Sequence, residues 1–509
     1  MRILWKEKDM RGLNTPISEL RKQIFVEVAK VAYESDNVNN DIEAIPYKVT
    51  PGDAPRFRES IYRERAIAAE RVRLAMGMSL RPEDKPVHIT EGVEESVISE
   101  KYYEPPLMQV IPSACNFCDD NKYMVSNQCQ GCIAHPCMEV CPKDAIRQVN
   151  GVAIIDQSKC IKCGKCKSAC PYDAIAKRER PCSMACGVKA IETDNHGRAR
   201  INNEKCVSCG MCMVSCPFGA IADKSQIFQL IRCMKEGGEV IAEIAPAFVG
   251  QFGPDATPRN VKAALLKLGF SEVYEVALGA DIGAVSEAHH YAHHVVNGDL
   301  PFLLTSCCPS WSMLAKSTLP DMVESVSTEL TPMVATARSI KKKHPNAHVV
   351  FIGPCAAKKL EAMRTTVRSD VDFVITFEEL SAMFEARGID PRNTVGDSSM
   401  HDATGIGRGY AVAGGVASAI EDCIKEYYPD VEMKIEHVEG LAECKKMLLL
   451  AKAGKKNGYL IEGMGCPGGC VAGAGTIIPI PKAKVEVEKI VKGSTKHVPA
   501  KELREIELN

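Results

Sequence analysis

Sixteen of the 24 cysteines lie between residues 115 and 216, and their spacing constrains this chain more than any other feature. Cys160, Cys163, Cys166 and Cys170 stand in a Cys-x2-Cys-x2-Cys-x3-Cys run closed by Pro171, and Cys206, Cys209, Cys212 and Cys216 repeat it before Pro217. Cys129, Cys132, Cys137 and Cys141 form a looser copy before Pro142. The remaining four are split: Cys115 and Cys118 come first, while Cys182 and Cys186 lie just ahead of the second full run. Tails at residues 142–146, 171–175 and 217–221 share one pattern, of which 187–191 is a degenerate copy, so the segment holds four half-modules. In such runs the fourth cysteine serves the neighbouring cluster of a pair. The sixteen then sort without remainder: Cys129, Cys132, Cys137 with Cys170; Cys160, Cys163, Cys166 with Cys141; Cys206, Cys209, Cys212 with Cys186; and Cys115, Cys118, Cys182 with Cys216. The last set is the most dispersed, with Cys118 and Cys182 on opposite sides of a whole module. Cys-x2-Cys pairs also suit zinc, but two complete runs closed by proline favour four 4Fe–4S clusters.

The rest of the composition excludes more than it identifies. Lys and Arg number 63 against 65 Asp and Glu, a formal charge of −2, so no global field draws the chain to nucleic acid or membrane. No run of about 18 apolar residues is present, so no membrane span is expected, and the first residues lack a secretory apolar core. A cytoplasmic protein is the expectation, and there cysteines serve metals or catalysis, not disulfides.

The expected architecture is α+β and multidomain. Residues 1–105 read as a helical N-terminal region, 106–180 as a ferredoxin module with two 4Fe–4S clusters (Cys115 and Cys118 belonging to the second module), and 181–225 as the second such module. Residues 226–485 read as a two-lobed α/β domain with its site between the lobes, and 486–509 as a peripheral charged tail. Thr15-Pro16 predicts a helix start, with Ile17, Leu20, Ile24, Val28 and Val31 on one face. A second helix is expected from Pro55 to Met76, stopped by Gly77. Its arginines, among them Arg58, Arg63, Arg71 and Arg73, alternate with glutamates; they read as a solvated face or as a docking surface for an acidic electron carrier. Beyond residue 225, short apolar runs at 240–244, 273–276, 302–304, 348–352, 373–375, 431–435 and 459–461 alternate with helical patterns, which predicts parallel sheet.

Three stretches of this part carry motif-like cysteines: Thr305-Ser306-Cys307-Cys308-Pro309-Ser310-Trp311; Gly353-Pro354-Cys355-Ala356-Ala357-Lys358-Lys359-Leu360-Glu361; and Glu462-Gly463-Met464-Gly465-Cys466-Pro467-Gly468-Gly469-Cys470. Two adjacent cysteines cannot both face one small metal centre with relaxed geometry, so Cys307 and Cys308 have different tasks. Cys233, Cys423 and Cys444 lack such surroundings and read as buried core thiols. The three stretches resemble the three signature loops of the iron-only (FeFe) hydrogenases. The resemblance implies an H-cluster: a 4Fe–4S cubane held by Cys308, Cys355, Cys466 and Cys470 and joined through Cys470 to a two-iron unit bearing CO, CN⁻ and an azadithiolate. It further implies that Lys358 hydrogen-bonds a cyanide, that Met464 and Ala245, Pro246 and Ala247 line the cofactor, and that Cys307 hands protons to the azadithiolate nitrogen. The family's proton relay, Cys, Glu, Ser, Glu, carries over onto Cys307, His290, Ser327 and Glu287.

Two departures stand out. Gly353 occupies the position of the family's methionine, and His290 that of a relay glutamate. The function implied is 2H⁺ + 2e⁻ ⇌ H₂, with electrons from ferredoxin crossing four 4Fe–4S clusters, and with maturation proteins supplying the two-iron unit. A hydrogen-sensing member with low turnover, or a non-catalytic iron–sulfur assembly protein, are the alternatives.

Overall fold

The computed structural model describes residues 14–96, 105–368, 370–396, 398, 400 and 403–505. Thr15 caps the first helix, Pro16–Glu34, in a capping box with Ser18, and its apolar face buries Ile24, Val28 and Val31. A helix that the sequence reading missed follows at Val38–Val49; Pro46, which argues against a helix interior, sits in its last turn. The third helix begins at Ile61, six residues later than expected, because Ser60 caps it. The preceding loop is instead folded onto Glu64, whose carboxylate accepts the backbone N–H groups of Arg56, Phe57 and Arg58.

Apart from the Arg63–Glu59 ion pair, the arginines of this helix and of the loop before it fit neither expectation. Arg71 and Arg73 are buried. Arg58 donates to the carbonyls of Ala114 (3.2 Å) and Phe218 (2.8 Å), Arg63 to Ser113 (2.8 Å), and Arg71 to Gly219. They clamp the helix onto the second dicluster module.

The four half-modules repeat one backbone device. The third residue of the first Cys-x-x-Cys turn of each run is left-handed: Phe117, Gly131, Lys162 and Ser208 have φ of 51°, 57°, 60° and 51°. So is the third residue after each closing cysteine: Asp144, Asp173, Lys189 and Gly219, at 45°, 47°, 55° and 59°. Left-handed backbone disfavours residues with a β-carbon, yet it recurs because it turns N–H groups inward. The N–H groups of Ala145, Ala190 and Ala220 reach the sulfurs of Cys141, Cys186 and Cys216 at 3.3, 3.1 and 3.3 Å. In the first module Lys122–Val125 pairs antiparallel with Ile175–Arg178, and Ile146–Val149 with Val152–Ile155. In the second, Met108–Val110 pairs with Ile221–Asp223, and Ile191–Thr193 with Ala199–Ile201. The first module is thus inserted into the second. Arg180 joins them, its guanidinium donating to the carbonyls of Cys118 and Gly197.

The remainder is built on two parallel sheets. One has the strand order Glu272–Glu275, Val240–Ile244, His348–Gly353, Phe373–Thr376; the other Leu303–Leu304, Tyr459–Met464, Lys434–Glu439. The strand expected at 431–435 begins at Lys434, where its partner begins at Tyr459. Buried Lys359 ties this part to the second module, donating to Asp223 (2.7 Å), Glu379 (2.9 Å) and the Lys224 carbonyl (3.0 Å). The C-terminal residues are not peripheral. The helix Ile480–Lys492 buries Ala483 and Val487, and the chain after it holds Gly405 through the Lys496 carbonyl. Among the described residues no helix is long and apolar enough to cross a membrane.

Candidate active site and its cluster-binding loops

The site loops leave the carboxyl ends of parallel strands, two from each sheet, where open α/β sheets collect their chemistry. Ala245 follows Val240–Ile244, and Pro354-Cys355 follows His348–Gly353. Cys307 and Cys308 follow Leu303–Leu304, and Gly465-Cys466 follows Tyr459–Met464. Cys308 and Cys355 are the residues that cap the helices Pro309–Thr318 and Ala356–Ala362. A thiolate there meets the positive end of the helix dipole.

Small residues let the loops interlock. A β-carbon on Gly463 would lie 2.0 Å from the ring of Trp311, which is fully buried and donates to the Thr305 carbonyl at 2.9 Å. A β-carbon on Gly473 would collide with the Pro354 carbonyl at 2.3 Å, and the Gly475 N–H bonds that same oxygen at 2.8 Å. The Gly465 N–H reaches the Cys308 sulfur at 3.4 Å. These contacts bring Cys308, Cys355, Cys466 and Cys470 into one electrostatic neighbourhood. Burial raises the pKa of Cys355, Cys466 and Cys470, and the neighbouring thiols raise them further. Three thiols whose ionised forms are held back in this way, with Cys308 facing each of them, fit a shared cationic centre. Met464 is buried beside Cys307 and Cys308, and Ala245 and Ala247 are buried with Pro246 between them.

The dicluster cysteines gather in the same sense. Cys115, Cys118, Cys182 and Cys216 line one cavity; Cys129, Cys132, Cys137 and Cys170 a second; Cys141, Cys160, Cys163 and Cys166 a third. Cys186 lies close enough to Cys206, Cys209 and Cys212 to raise the pKa of each, after burial. Cys209 in turn faces Cys308, and Cys212 faces Cys182. Among the described residues no three His, Cys, Asp or Glu side chains converge as the ligands of one ion would. Each set of four matches the ligand number of a four-iron cluster. Cys233, Cys423 and Cys444 are buried in the core.

Cys307 faces carboxylates. Burial pushes its thiol well above the ordinary range, and Glu287, Glu462, Cys308 and Cys470 add to this. Glu287 is itself buried, which raises its carboxyl to about 7 against the opposing hydrogen bonds from Ser327 and the Ser306 N–H. His290 is elsewhere: it is half-buried one turn further on, with the His294 ring centred 4.9 Å away. The carboxylate that bears on Cys307 is therefore Glu287, and His290, expected next to Cys307, does not stand there. The helical turn from 287 to 290 places the two side chains at different depths.

Lys358 donates to Glu361 at 2.7 Å, and the Thr331 hydroxyl donates to the other oxygen of Glu361 at 2.8 Å. Three acidic residues escaped sequence reading. Glu329 is linked to Ser286 and lies near Glu287. Glu462 accepts the Gly414 and Ala417 N–H groups at 2.9 and 2.8 Å. Glu243 is fully buried near Lys358 and Glu361, with neither oxygen hydrogen-bonded among the described residues. Only Glu462 had a signal, its place at the head of the third loop; the others are single acids in apolar or loop segments.

Comparison with known proteins places these loops. Residues 238–474 match the C-terminal domain of the iron-only hydrogenase large subunit, and residues 120–180 and 159–220 match 4Fe–4S dicluster domains. The large subunit of a periplasmic Fe hydrogenase from Nitratidesulfovibrio vulgaris is 30% identical over 373 residues, 63% of this chain and 85% of that protein. Iron hydrogenase 1 of Clostridium pasteurianum is 28% identical over 295 residues, 49% of this chain and 51% of that one. A probable cytosolic Fe–S cluster assembly factor from Aedes aegypti is 25% identical over 285 residues, 45% of this chain and 58% of its own length. The chain thus spans little more than half of the latter two relatives.

Proposed function

The chain belongs to the iron-only hydrogenase family, and on that premise we propose that it catalyses 2H⁺ + 2e⁻ ⇌ H₂ in the cytoplasm, exchanging electrons with a ferredoxin-like carrier. The observation that carries this reading is the meeting of Cys307 with Glu287 beside the four thiols of Cys308, Cys355, Cys466 and Cys470. Those four residues would hold the H-cluster, which when bound supplies the metal site for joining protons and electrons. Lys358, fixed by Glu361, presents an ammonium to an anionic ligand, and Met464 and Ala245–Ala247 exclude water.

The remaining residues move protons. The Cys307 sulfur carries one at the cofactor side. The Glu287 carboxyl, titrating near 7, can take and return it near neutral pH. Ser327 and Glu329 continue the route outward, so that Glu329 replaces the glutamate whose position His290 holds. The cysteine sets would hold four-iron clusters supplying electron transfer, with Cys212 facing Cys182 and Cys209 facing Cys308.

Likeness to the assembly factor carries a second reading, a protein without turnover, but a proton route has no task there. The decisive experiment supplies protein, made with the maturation machinery, with reduced ferredoxin and measures hydrogen. Turnover, with about 20 irons in five four-iron sets plus two more, supports the enzyme. A full iron content without hydrogen evolution or uptake would assign the chain to the second reading.

A further inference from the structure

Of all 24 cysteines, Cys163 alone is exposed. Its set, Cys141, Cys160, Cys163 and Cys166, lines a cavity whose wall also includes Lys143, Ile161 and Lys165, with no acidic side chain. Ile161 is 56% exposed. Lys143 and Lys165 share its cavity, Lys162 and Lys167 flank the same cysteine run, all four are exposed, and among the described residues none makes an ion pair. Lys159, nearby, faces Asp156. Residues 120–180 hold ten Lys and Arg against six Asp and Glu, whereas the whole chain has 63 against 65. The other candidate basic surface, the arginine helix Ile61–Ala75, is engaged by backbone carbonyls.

We propose that this face of the first module, an apolar centre at Ile161 rimmed by Lys143, Lys162, Lys165 and Lys167, is the docking surface for a small acidic electron-carrier protein. The inference rests on the electron-relay reading above and deepens it by fixing the entry point. Charge complementarity selects the occupant. An exposed apolar centre inside a one-signed rim steers an oppositely charged partner and seats it with its redox centre against the cluster nearest the surface. Unpaired lysines respond to that partner without first breaking an internal contact.

The test measures binding, not turnover, so it stands apart from the hydrogenase reading. Full-length protein with its accessory clusters, made without maturation proteins, is titrated with an acidic two-cluster ferredoxin at about 0.05 and 0.5 M salt, on either side of strong screening. Binding should weaken at least tenfold at the higher salt. The variant Lys143→Glu/Lys165→Glu/Lys167→Glu should weaken it at least tenfold at low salt with unchanged iron content. If that variant loses iron, the single variants Lys143→Glu and Lys167→Glu carry the test, with at least a twofold loss expected from each. Charge reversal at two exposed lysines of the C-terminal domain, Lys445→Glu/Lys455→Glu, should leave affinity unchanged. Wild-type-like binding by the first-module variants, or an equal loss in the Lys445/Lys455 variant, overturns the proposal.

Discussion

In the dicluster modules each cysteine turn is shaped by its own few residues, whereas the thiols around Cys307 come from loops as far apart as Cys308 and Gly465, 157 positions from each other. The modules repeat left-handed residues at equivalent places and need few other contacts to present their sulfurs. The Cys307 site repeats nothing. It depends on Gly463 yielding to Trp311, on Gly473 and Gly475 meeting Pro354, and on carboxylates from a separate helix, Glu287, and a strand, Glu462. Electron relay asks only that clusters be held and spaced, which local loops achieve. Proton transfer asks for groups of matched acidity in contact, and only burial within a tertiary structure shifts them so far.

The sharpest way to break this comparison is at Cys307. Serine is nearly isosteric but a far weaker acid, so Cys307→Ser should lower turnover about 10²-fold or more while CO and CN⁻ infrared bands persist. Glu287 is protonated below its value of about 7 and ionised above it. The proton-reducing rate should therefore fall as pH climbs through neutrality, and Glu287→Gln should lose that inflection with about 10²-fold of rate. If Glu287→Gln keeps the wild-type pH profile, the route does not pass through this carboxyl.

Interlocking at the site can be tested by overfilling it. A β-carbon on Gly353 would lie 2.5 Å from the Phe351 ring and 3.2 Å from Ala245, so the methionine usual in the family has no room while Phe351 is present. Gly353→Met should cost about 1–3 kcal/mol in thermal unfolding, and Gly353→Met/Phe351→Val should recover part of it. An unchanged melting temperature in the single variant would show that Phe351 is free to move.

The smallest effect separates the two modules. Arg71→Met loses the bond to the Gly219 carbonyl, three residues past Cys216, and should cost about 1–1.5 kcal/mol, with iron lost from that set first. Lys165→Met in the first module lacks any such contact and should stay within about 0.5 kcal/mol. Equal losses in both would mean that the arginine clamp adds nothing beyond the loops themselves.

Sequence alone determined the four cysteine sets and the parallel strands, because spacing within a turn and runs of apolar residues act over a dozen positions. It also placed Cys307 apart from Cys308, since neighbours on one chain cannot share one small centre. It misjudged the arginine helix: alternating Arg and Glu read as a solvated face, while Arg71 and Arg73 are buried and spend their donors on distant carbonyls. It set His290 rather than Glu287 beside Cys307, since position along a helix does not state depth. Glu287 against Cys307, Glu329 behind it and Cys163 at the surface were decided by the tertiary structure. Acidity and exposure are set by everything packed around a group, and that surrounding is assembled from residues far apart in the chain.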